Sequence, residues 1–377
     1  MKDDRKRKRN VLIVNSSLCL GGAEMVISNL CRHIRRDLFD VHVCHLKERG
    51  SIGEELSRLG INMIGISGEA SRRPDYFSFL KLRRIIRRFR IDIVHSHNTY
   101  SLIDSSLCRL TVPGIKSVHT FHFGNYPHLA RRYRMAERAF WRVPDRLVSV
   151  GHEQKKTLLD AYSIPNHRVA TIWNGIERIR EDPDMDTVRR FRNEDRIIVG
   201  TIGNLIEQKG YAYLLEVASS VRKRRSDVTF LVIGSGPLRG ELEEKSRSMG
   251  LEDTVHFLGP ITNAASRLLP VFDIFFLPSL WEAMSIVVLE AMSAGKPILA
   301  TRVGENAHLI EDGGTGMLVE PRDVAGMTGK LEILIGSHGL RERLGKAGRE
   351  KIERTCTAES MSRQYEQLYQ SLFSDTR

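Results

Sequence analysis

Residues 277–292 read LPSLWEAMSIVVLEAM, and this stretch decides the fold. Its first residue closes the apolar run Ile274–Leu277, which has the length and composition of a buried strand that ends at Pro278. A short loop follows, and Ser285 is a typical cap residue for the apolar helix that comes next. Strand, loop and helix in this order are the repeating part of βαβ units, so the stretch predicts an α/β fold.

The same alternation extends in both directions along the chain. In the first half, strands are predicted at Val11–Val14, Val41–Leu46, Asn62–Ile66, Ile91–His95, Lys116–His119, Leu147–Val150 and Arg168–Ile172. In the second half they are predicted at Ile197–Ile202, Thr229–Ile233, Thr254–Phe257, Ile274–Leu277, Ile298–Ala300 and Gly316–Val319. Helices are predicted between them, among others at Glu24–Ile34, Tyr76–Phe89, Ala130–Trp141, Glu153–Ala161, Gly210–Lys223, Leu238–Met249, Ile286–Ala294 and Ala325–Leu334. Because the strands are almost continuously apolar, as in parallel sheets covered on both faces, the pattern predicts two doubly wound domains.

The length of 377 residues favours two domains over one, because a domain typically holds about 100–200 residues. We expect a first domain at residues 1–185, a second at 186–357 and a closing helix, Glu359–Leu372, within 358–377. The polar stretch Glu177–Asp195 is the predicted linker. A hydrophobic share of 41% excludes wholesale disorder, and no apolar run approaches the roughly 20 residues of a membrane-spanning helix.

The cysteines and the N-terminus favour a reduced, cytoplasmic protein. Five cysteines without a CxxC pair form no closed disulfide set and no cysteine-based metal site. The N-terminus carries a run of charged residues and lacks the apolar segment of a signal peptide.

The excess of Lys and Arg behind the net charge of +12 lies entirely in residues 1–185. Two segments, Lys81–Arg90 and Arg131–Arg142, combine these cations with apolar or aromatic residues at helical spacing. Such helices can dock on an anionic membrane surface, or they can be ordinary surface helices whose apolar side packs on the sheet. Nucleic acid is disfavoured as a partner, because no recognised nucleic-acid module accompanies the charge.

Three features of the sequence contain residues that could bind a ligand or take part in catalysis. Gly21 and Gly22 open a helix after the first strand, where free N–H groups favour an anion, unless they form only a tight turn. Lys209 precedes another helix in the segment Gly203–Gly210 and could meet a phosphate, or could simply be solvated. Glu290 lies in an apolar helix, where a carboxylate is costly unless it is paired. It could accept hydrogen bonds from vicinal hydroxyls of a ligand, or be satisfied by backbone groups or an arginine.

Together these motifs resemble those of a known family, the retaining glycosyltransferases of family four. Glu282 and Glu290 are spaced as in the E-x7-E motif of that family. The other matching positions, which extend over essentially the whole chain, are Gly21-Gly22, His95-Ser96-His97, Thr120-Phe121-His122, Asn174-Gly175-Ile176, Gly203 to Gly210, Gly234-Ser235-Gly236-Pro237, Gly295-Lys296-Pro297, Val303-Gly304, Asp312-Gly313 and Gly316 with Leu318-Val319. The resemblance implies the GT-B fold, in which two Rossmann-like parallel-sheet domains face each other across a cleft and the last helix crosses back to the first domain.

The resemblance also implies residue roles. The catalytic residues would be His122 near the transferred sugar, Glu282 on the sugar hydroxyls and Lys209 on the diphosphate. Glu290 would bind the ribose of a nucleotide diphosphate sugar. The full set of implied donor-binding residues is Gly22, Asn204, Lys209, Ala283, Met284, Ser285, Ile286 and Glu290, and the implied acceptor side comprises Gly21, His97 and Asn98.

The implied reaction retains the anomeric configuration, because the diphosphate leaves from the face that the acceptor attacks. It requires stabilisation of the charge that builds on the leaving phosphate, which Lys209 and helix N-termini can supply. No acidic pair of the DxD type stands where a divalent metal would bind, so neither a metal nor another cofactor is expected.

The chain departs from the family pattern at three places. Asn204 stands where arginine is usual, so the phosphate clamp has one fewer cation. Ala283 replaces the glycine after the first glutamate, and residues 284–285 differ from the common Phe-Gly pair. Residues 305–306, Glu-Asn, replace a glycine-containing stretch. These changes concern the identity of the donor sugar more than the fold.

The expected function is hexosyl transfer with retention from a UDP-sugar, or a GDP-sugar, to a glycan or lipid-linked glycan in cell-surface polysaccharide or glycolipid synthesis. The expected location is the cytoplasm, peripheral to the inner face of the cell membrane. The alternative is a catalytically inactive transferase fold that acts as a peripheral membrane or scaffolding partner, which the loss of arginine at position 204 keeps open. A nicotinamide-dependent oxidoreductase is disfavoured, because no GxGxxG follows the first strand.

Overall fold

The computed structural model describes residues 7–66, 77–126, 130–192 and 196–374. Tyr76, the first residue of one predicted helix, and residues 193–195 of the predicted linker lie outside the described residues. The chain divides into two compact units. One comprises the described parts of 1–175 and 358–377, and the other those of 176–357.

Each unit is built on one parallel sheet. In the described chain the first unit has seven strands, β1 (Arg9–Ser17), β2 (Phe39–Glu48), β3 (Asn62–Gly65), β4 (Ile93–Ser96), β5 (Lys116–Phe121), β6 (Arg146–Ser149) and β7 (Val169–Thr171), in the order β3-β2-β1-β4-β5-β6-β7. The second unit has six, β8 (Ile197–Ile202), β9 (Val228–Ile233), β10 (Val255–Gly259), β11 (Ile274–Leu277), β12 (Ile298–Thr301) and β13 (Met317–Val319), in the order β10-β9-β8-β11-β12-β13. In both sheets the chain first adds strands on one side of the first strand and then continues on its other side, which is the doubly wound arrangement. The predicted fold class, two Rossmann-like parallel-sheet domains, is confirmed.

Helices connect the strands and cover the sheets. They are α1 (Gly22–His33), α2 (Gly50–Arg58), α3 (Ser78–Arg88), α4 (Thr99–Thr111), α5 (Arg131–Phe140), α6 (His152–Tyr162), α7 (Met185–Phe191), α8 (Tyr211–Arg222), α9 (Arg239–Ser248), α10 (Ala264–Leu268), α11 (Ile286–Ser293), α12 (Asn306–Leu309), α13 (Val324–Gly336), α14 (His338–Thr355) and α15 (Ala358–Ser374). Short 3-10 turns stand at Asn166–Arg168, Glu207–Lys209 and Leu269–Val271. Among the described helices, none has the length and apolar composition needed to span a membrane.

The central strands form the cores of the two units. Leu12 and Ile13 in β1, and Phe275 and Phe276 in β11, expose none of their surface. Neighbouring residues point to opposite faces of a strand, so both faces of each sheet are covered. Complete burial of such side chains stabilises the fold by about 1.5–3 kcal/mol each, and it explains why the strands are apolar without alternation.

The predicted linker begins as part of the second unit. The Ile176 N–H donates to the Cys356 carbonyl at 3.0 Å, and those of Asp182 and Asp184 donate to carbonyls of the α10 helix, also at 3.0 Å. The Asp184 carboxylate caps α7. The units therefore meet along the chain at residues 175–176, earlier than the boundary suggested at residue 185. Main-chain groups form three of the bonds that anchor this stretch, and the Asp184 carboxylate adds an ion pair with Arg267.

The last helix, α15, belongs to the first unit. Its Tyr365 and Tyr369 are fully buried. The Tyr369 hydroxyl lies 2.7 Å from His95 Nδ1, and the Tyr365 hydroxyl lies 3.1 Å from Thr120 Oγ1. Helix α15 thereby contributes two hydrogen-bonded aromatic side chains to the same unit as β1 and β4.

Candidate active site

In the second unit, glycines bring three loops together after β8, β9 and β11. Gly234 has a φ of +139°, and a Cβ atom there would lie 1.9 Å from the carbonyl oxygen of Gly203. Gly210 has a φ of +65°, and its Cβ atom would lie 2.0 Å from the carbonyl oxygen of Pro278. Only glycine fits these two positions, since each combines a left-handed backbone with contact to another main chain. The loops meet at the carboxyl ends of the strands, where parallel sheets bind ligands.

Lys209 and Glu282 form an ion pair among these loops. Lys209 Nζ lies 2.6 Å from Glu282 Oε1, and the side chains are only 14% and 6% exposed. The Ser279 hydroxyl donates to the same oxygen at 2.8 Å, and Gln208 Nε2 donates to Oε2 at 3.2 Å. Since an ammonium group has three donors, Lys209 can keep this contact and still bind a phosphate oxygen. Two of the three predicted catalytic residues are thus in direct contact.

Glu290 lies in the second turn of α11 and is half-buried. Burial raises the pKa of its carboxyl to about 7. Within the described residues, no backbone or side-chain group donates a hydrogen bond to this carboxylate. The alternative in which backbone or arginine satisfies it therefore does not hold there, and its acceptor oxygens remain available to a ligand.

The remaining predicted donor-binding residues of this unit lie around the start of α11. Ser285 occupies the predicted cap position, but its side chain caps nothing and its hydroxyl is buried without a partner in the described structure. The first N–H groups of α11 are thus left without a capping side chain, as is required for a ligand to use them. Ala283 and Met284 are buried beside it. Asn204 is exposed on its loop, at the position where the family has arginine.

In the first unit, four histidines gather in and after β4 and β5. His97 Nδ1 and His122 Nε2 are 2.9 Å apart, and their rings are stacked with centroids 5.2 Å apart. Burial lowers the pKa of His122 to about 4 and that of His119 to about 3, and it holds the pKa values of His95 and His97 well below the usual range. All four rings are therefore neutral at pH 7, and His122 offers a ligand a neutral imidazole.

The other residues predicted for the acceptor side have structural partners. Asn98 caps α4, because its Oδ1 accepts from the Ser101 N–H at 3.0 Å and from the Ser16 hydroxyl at 2.8 Å. Its amide group donates to Asn15 Oδ1. Both polar ends of Asn98 are thus committed to the fold, which fits a positioning role more closely than a direct contact with the acceptor.

Sequence reasoning missed Glu24 beside the predicted glycines. Gly21 and Gly22 do begin α1, but a Cβ atom on Gly21 would lie 2.4 Å from a carboxylate oxygen of Glu24. Asn15 Nδ2 donates to the other oxygen at 2.8 Å, and burial raises the pKa of Glu24. A carboxylate thus stands where an anion was expected. The sequence did contain a signal for this role of Glu24, because the helix dipole favours an acidic residue in the first turn of a helix.

The side chains that most often bind metal ions are dispersed in the described structure. Across the described residues, His, Cys, Asp and Glu form no group of three or more that could hold a metal ion. All five cysteines are free.

Comparisons with known proteins agree with this architecture. The sequence model of Glycosyltransferase Family 4 matches residues 20–180, and that of Glycosyl transferases group 1 matches residues 184–351. The chain is 34% identical over 158 residues to the alpha-D-kanosaminyltransferase of Streptomyces kanamyceticus, a match that covers 42% of this chain and 41% of that protein. It is 27% identical over 315 residues to the N-acetyl-alpha-D-glucosaminyl L-malate synthase of Bacillus anthracis, covering 79% of each.

Among solved structures, the Anabaena protein HepE in complex with UDP and glucose has a TM-score of 0.85. The match covers 96% of this chain and 100% of HepE at 18% identity, so it concerns the fold. The two sequence models, the relatives and the fold lead to one conclusion: the chain belongs to the family-four glycosyltransferases, which are transferases with the GT-B fold.

Proposed function

We propose that this protein transfers a hexose from a UDP-sugar, with retention and without a metal ion, to a glycan or lipid-linked glycan of a cell-surface polysaccharide or glycolipid. One observation carries the proposal. The largely buried Lys209–Glu282 pair joins the loop after β8 to the motif that follows β11, and that motif also holds the unpaired carboxylate of Glu290.

The second unit supplies groups for each part of the donor. The ionised Glu290 carboxylate is an acceptor only, and it suits the two vicinal hydroxyls of a ribose. Lys209 supplies a cation for the diphosphate, and the uncapped start of α11 supplies N–H groups. HepE, which shares the fold, was solved in complex with UDP and glucose, and this supports uridine as the nucleotide.

The contacts of Glu282 support an orienting role. Its two oxygens accept from Lys209, Ser279 and Gln208, so the carboxylate is not a free nucleophile. We therefore propose that the acceptor oxygen bonds to the anomeric carbon on the face from which the diphosphate leaves. The bond to the phosphate oxygen breaks, and that oxygen takes the proton of the acceptor hydroxyl. Lys209 offsets the developing negative charge, so the residues need no metal for this step.

The first unit offers a basic surface for a membrane-bound acceptor. Helix α4 packs against both α3 and α5. The basic segments Lys81–Arg90 and Arg131–Arg142, which largely coincide with α3 and α5, therefore both lie next to α4. Their apolar residues Leu82 and Ile86 are buried, whereas the cations are largely exposed. Four exposed apolar side chains lie on or beside these helices: Phe77, Leu80, Leu110 and Met135. Exposed cations with apolar side chains among them suit an anionic membrane surface.

Donor binding can be tested by titrating UDP, UDP-sugars and GDP-sugars in calorimetry and by measuring nucleotide release. We expect a UDP-sugar to bind, and Glu290→Gln to weaken binding at least about tenfold, because the neutral amide loses a charge-assisted acceptor. The matched control is Glu353→Gln, an exposed position on α14. Failure of every nucleotide sugar to bind or turn over would favour the inactive scaffold instead.

Membrane docking can be tested by co-sedimentation with vesicles of neutral lipid alone or with added anionic lipid. We expect the double variant Arg134→Glu, Arg138→Glu to bind anionic vesicles more than tenfold more weakly, since each cation near such a surface contributes about 1 kcal/mol. The control is Lys223→Glu with Lys346→Glu, two exposed positions of the second unit. Binding that ignores both salt and anionic lipid would contradict the docking proposal.

A further inference from the structure

The pairing of His97 with His122 leaves one ring nitrogen of His97 without a partner. His97 is 1% exposed, and its Nδ1 is engaged with His122 Nε2. Its Nε2 is buried and has no hydrogen-bond partner among the described residues. His122 is half-buried, and its Nδ1 makes no hydrogen bond with the described residues, whereas its Nε2 is engaged by His97. Each ring therefore has one committed and one uncommitted nitrogen.

The direction of the shared hydrogen bond decides the tautomer of both rings. A neutral imidazole carries one N–H donor and one acceptor nitrogen. If His122 donated, His97 would carry its proton on the buried Nε2, as a donor without an acceptor. If His97 donates from Nδ1, its buried Nε2 is a bare acceptor and His122 carries its proton on Nδ1. Buried donors without partners are rarer than under-satisfied acceptors, so the second arrangement is favoured.

The surroundings of His97 hold its ring in place. It lies against the ring of His95, with centroids 4.1 Å apart and the ring planes tilted by 41°, and His95 is itself bonded at both nitrogens. His95 Nδ1 lies 2.7 Å from the Tyr369 hydroxyl, and its Nε2 lies 2.8 Å from Thr120 Oγ1. A fully bonded ring therefore supports one face of His97, and the orientation of the donor toward His122 follows from packing.

We propose that His97 is a positioning residue that holds His122 in the tautomer with its proton on Nδ1, so that His122 presents an N–H donor to an oxygen of the substrate. The proposal rests on the proposed function. A ring in this tautomer, with Nε2 engaged by His97, has no free lone pair to take a proton from the acceptor hydroxyl. The proton then goes to the leaving phosphate, as the proposed reaction requires.

The tautomer can be read directly by NMR of the protein labelled with 15N-histidine at pH 7, with the His122 signals assigned through their loss in His122→Gln. We expect His122 to be protonated on Nδ1 in the wild type. In His97→Asn the amide nitrogen lies one bond beyond Cγ, as Nδ1 does, so the tautomer is retained. In His97→Leu the donor is gone, and a signal of the Nε2-protonated form appears. Protonation of His122 on Nε2 in the wild type, or an unchanged tautomer in His97→Leu, would overturn the proposal.

Kinetics supply the functional half of the test. We expect His97→Leu to lower kcat at least about tenfold while the KM for the donor changes less than about threefold, and His97→Asn to recover most of kcat. A kcat of wild-type size in His97→Leu, with its tautomer changed, would also overturn the proposal. If the wild-type protein turns over no nucleotide sugar, the proposed function fails, whereas the NMR result still decides the hydrogen bond.

Discussion

At the scale of single residues, Glu290 shows a conflict between stability and binding. Its carboxylate lies among the apolar residues of α11, and no described group compensates its charge. A carboxylate in such a place is costly to ionise, which is why its pKa is raised. Ligand hydroxyls would remove much of this cost, so the same residue that destabilises the empty protein would favour the bound one.

The conflict predicts a pH-dependent gain of stability in Glu290→Gln. The pKa of Glu290 is about 7 in the folded protein, against an ordinary value of 4.5. Between these pH values the folded state keeps a proton that the unfolded chain has released, so stability falls as the pH rises through this window. The glutamine variant escapes this loss.

We therefore expect Glu290→Gln to unfold at a higher Tm than the wild type at pH 8, because its free energy of unfolding is larger by roughly 1–3 kcal/mol. At pH 4.5 the two proteins should unfold at a similar Tm. Thermal unfolding of the ligand-free protein at the two pH values measures both, with Glu353→Gln as the control. A lower Tm of Glu290→Gln at pH 8 would show that the carboxylate is compensated in the folded state.

Sequence reasoning found the residues whose chemistry is unusual for their setting. Glu290 in an apolar helix and Lys209 before a helix were visible as charges in specific positions, and the motif spacing added Glu282. It did not find Gln208, which donates to Glu282, because a polar residue in a loop carries no such signal. Its assignment of Asn98 to the acceptor side stays a prediction, and the structure adds the capping box with Ser101, which the sequence analysis did not predict. Hydrogen-bond partners that meet only through the tertiary fold cannot be recognised from the local sequence pattern.

At the scale of elements, the strands were predictable and some helices were not. Every predicted strand forms, because a buried parallel strand requires an apolar run. Helix α4 contains several Ser and Thr residues, which favour caps and turns, and the capping box and burial of Leu102 and Cys108 hold it instead. Helix α2 contains Gly50 and Gly53, which lower helix propensity. Tertiary packing outweighs propensity in both.

Helix α15 shows how one element supports the site. The Tyr369 hydroxyl is the partner of His95 Nδ1, and both groups are buried. Tyr369→Phe conserves the ring but leaves that nitrogen unsatisfied, so we expect a loss of about 1–3 kcal/mol in the free energy of unfolding. Urea unfolding measures the loss. Tyr213→Phe, at a half-buried ring in α8, is the control and should change it by less than about 0.5 kcal/mol. Equal losses in the two variants would contradict this account of α15.

At the scale of the whole molecule, we expect the first unit to be sensitive to acid, because it holds a cluster of buried histidines. The first unit contains the buried neutral histidines, including His119 and His122 with pKa values of about 3 and 4. The unfolded chain takes up protons on these rings below about pH 6.5, and the folded unit does not. Stability is therefore lost as the pH falls from 6.5 toward 4.

We expect the first unit to lose up to about 2 kcal/mol per buried histidine between pH 7 and pH 5. Tryptophan fluorescence can follow this unit alone in Trp281→Phe, because the two remaining tryptophans, Trp141 and Trp173, both lie in it. The urea midpoint of this variant should fall at pH 5. An unchanged midpoint would mean that the rings are protonated in the folded state.

The two doubly wound domains could be anticipated from the chain, but the course of residues 176–184 could not. Their backbone bonds to Cys356, Ser266 and Arg267 join segments far apart in sequence, and a backbone N–H group leaves no mark on the sequence pattern. The boundary between the units is therefore a property of the folded chain rather than of local composition.

The place of α15 along the chain has a consequence for biosynthesis. The ribosome makes β1 to β7 first, but Tyr365 and Tyr369, which fill their core, emerge only after all of residues 176–357. The second unit, although it is translated after β1 to β7, can therefore complete its fold before the first unit does. Until translation reaches the last helix, Phe39 and His95 lack their ring contacts with Tyr369, and apolar surface exposed in this way is what chaperones bind.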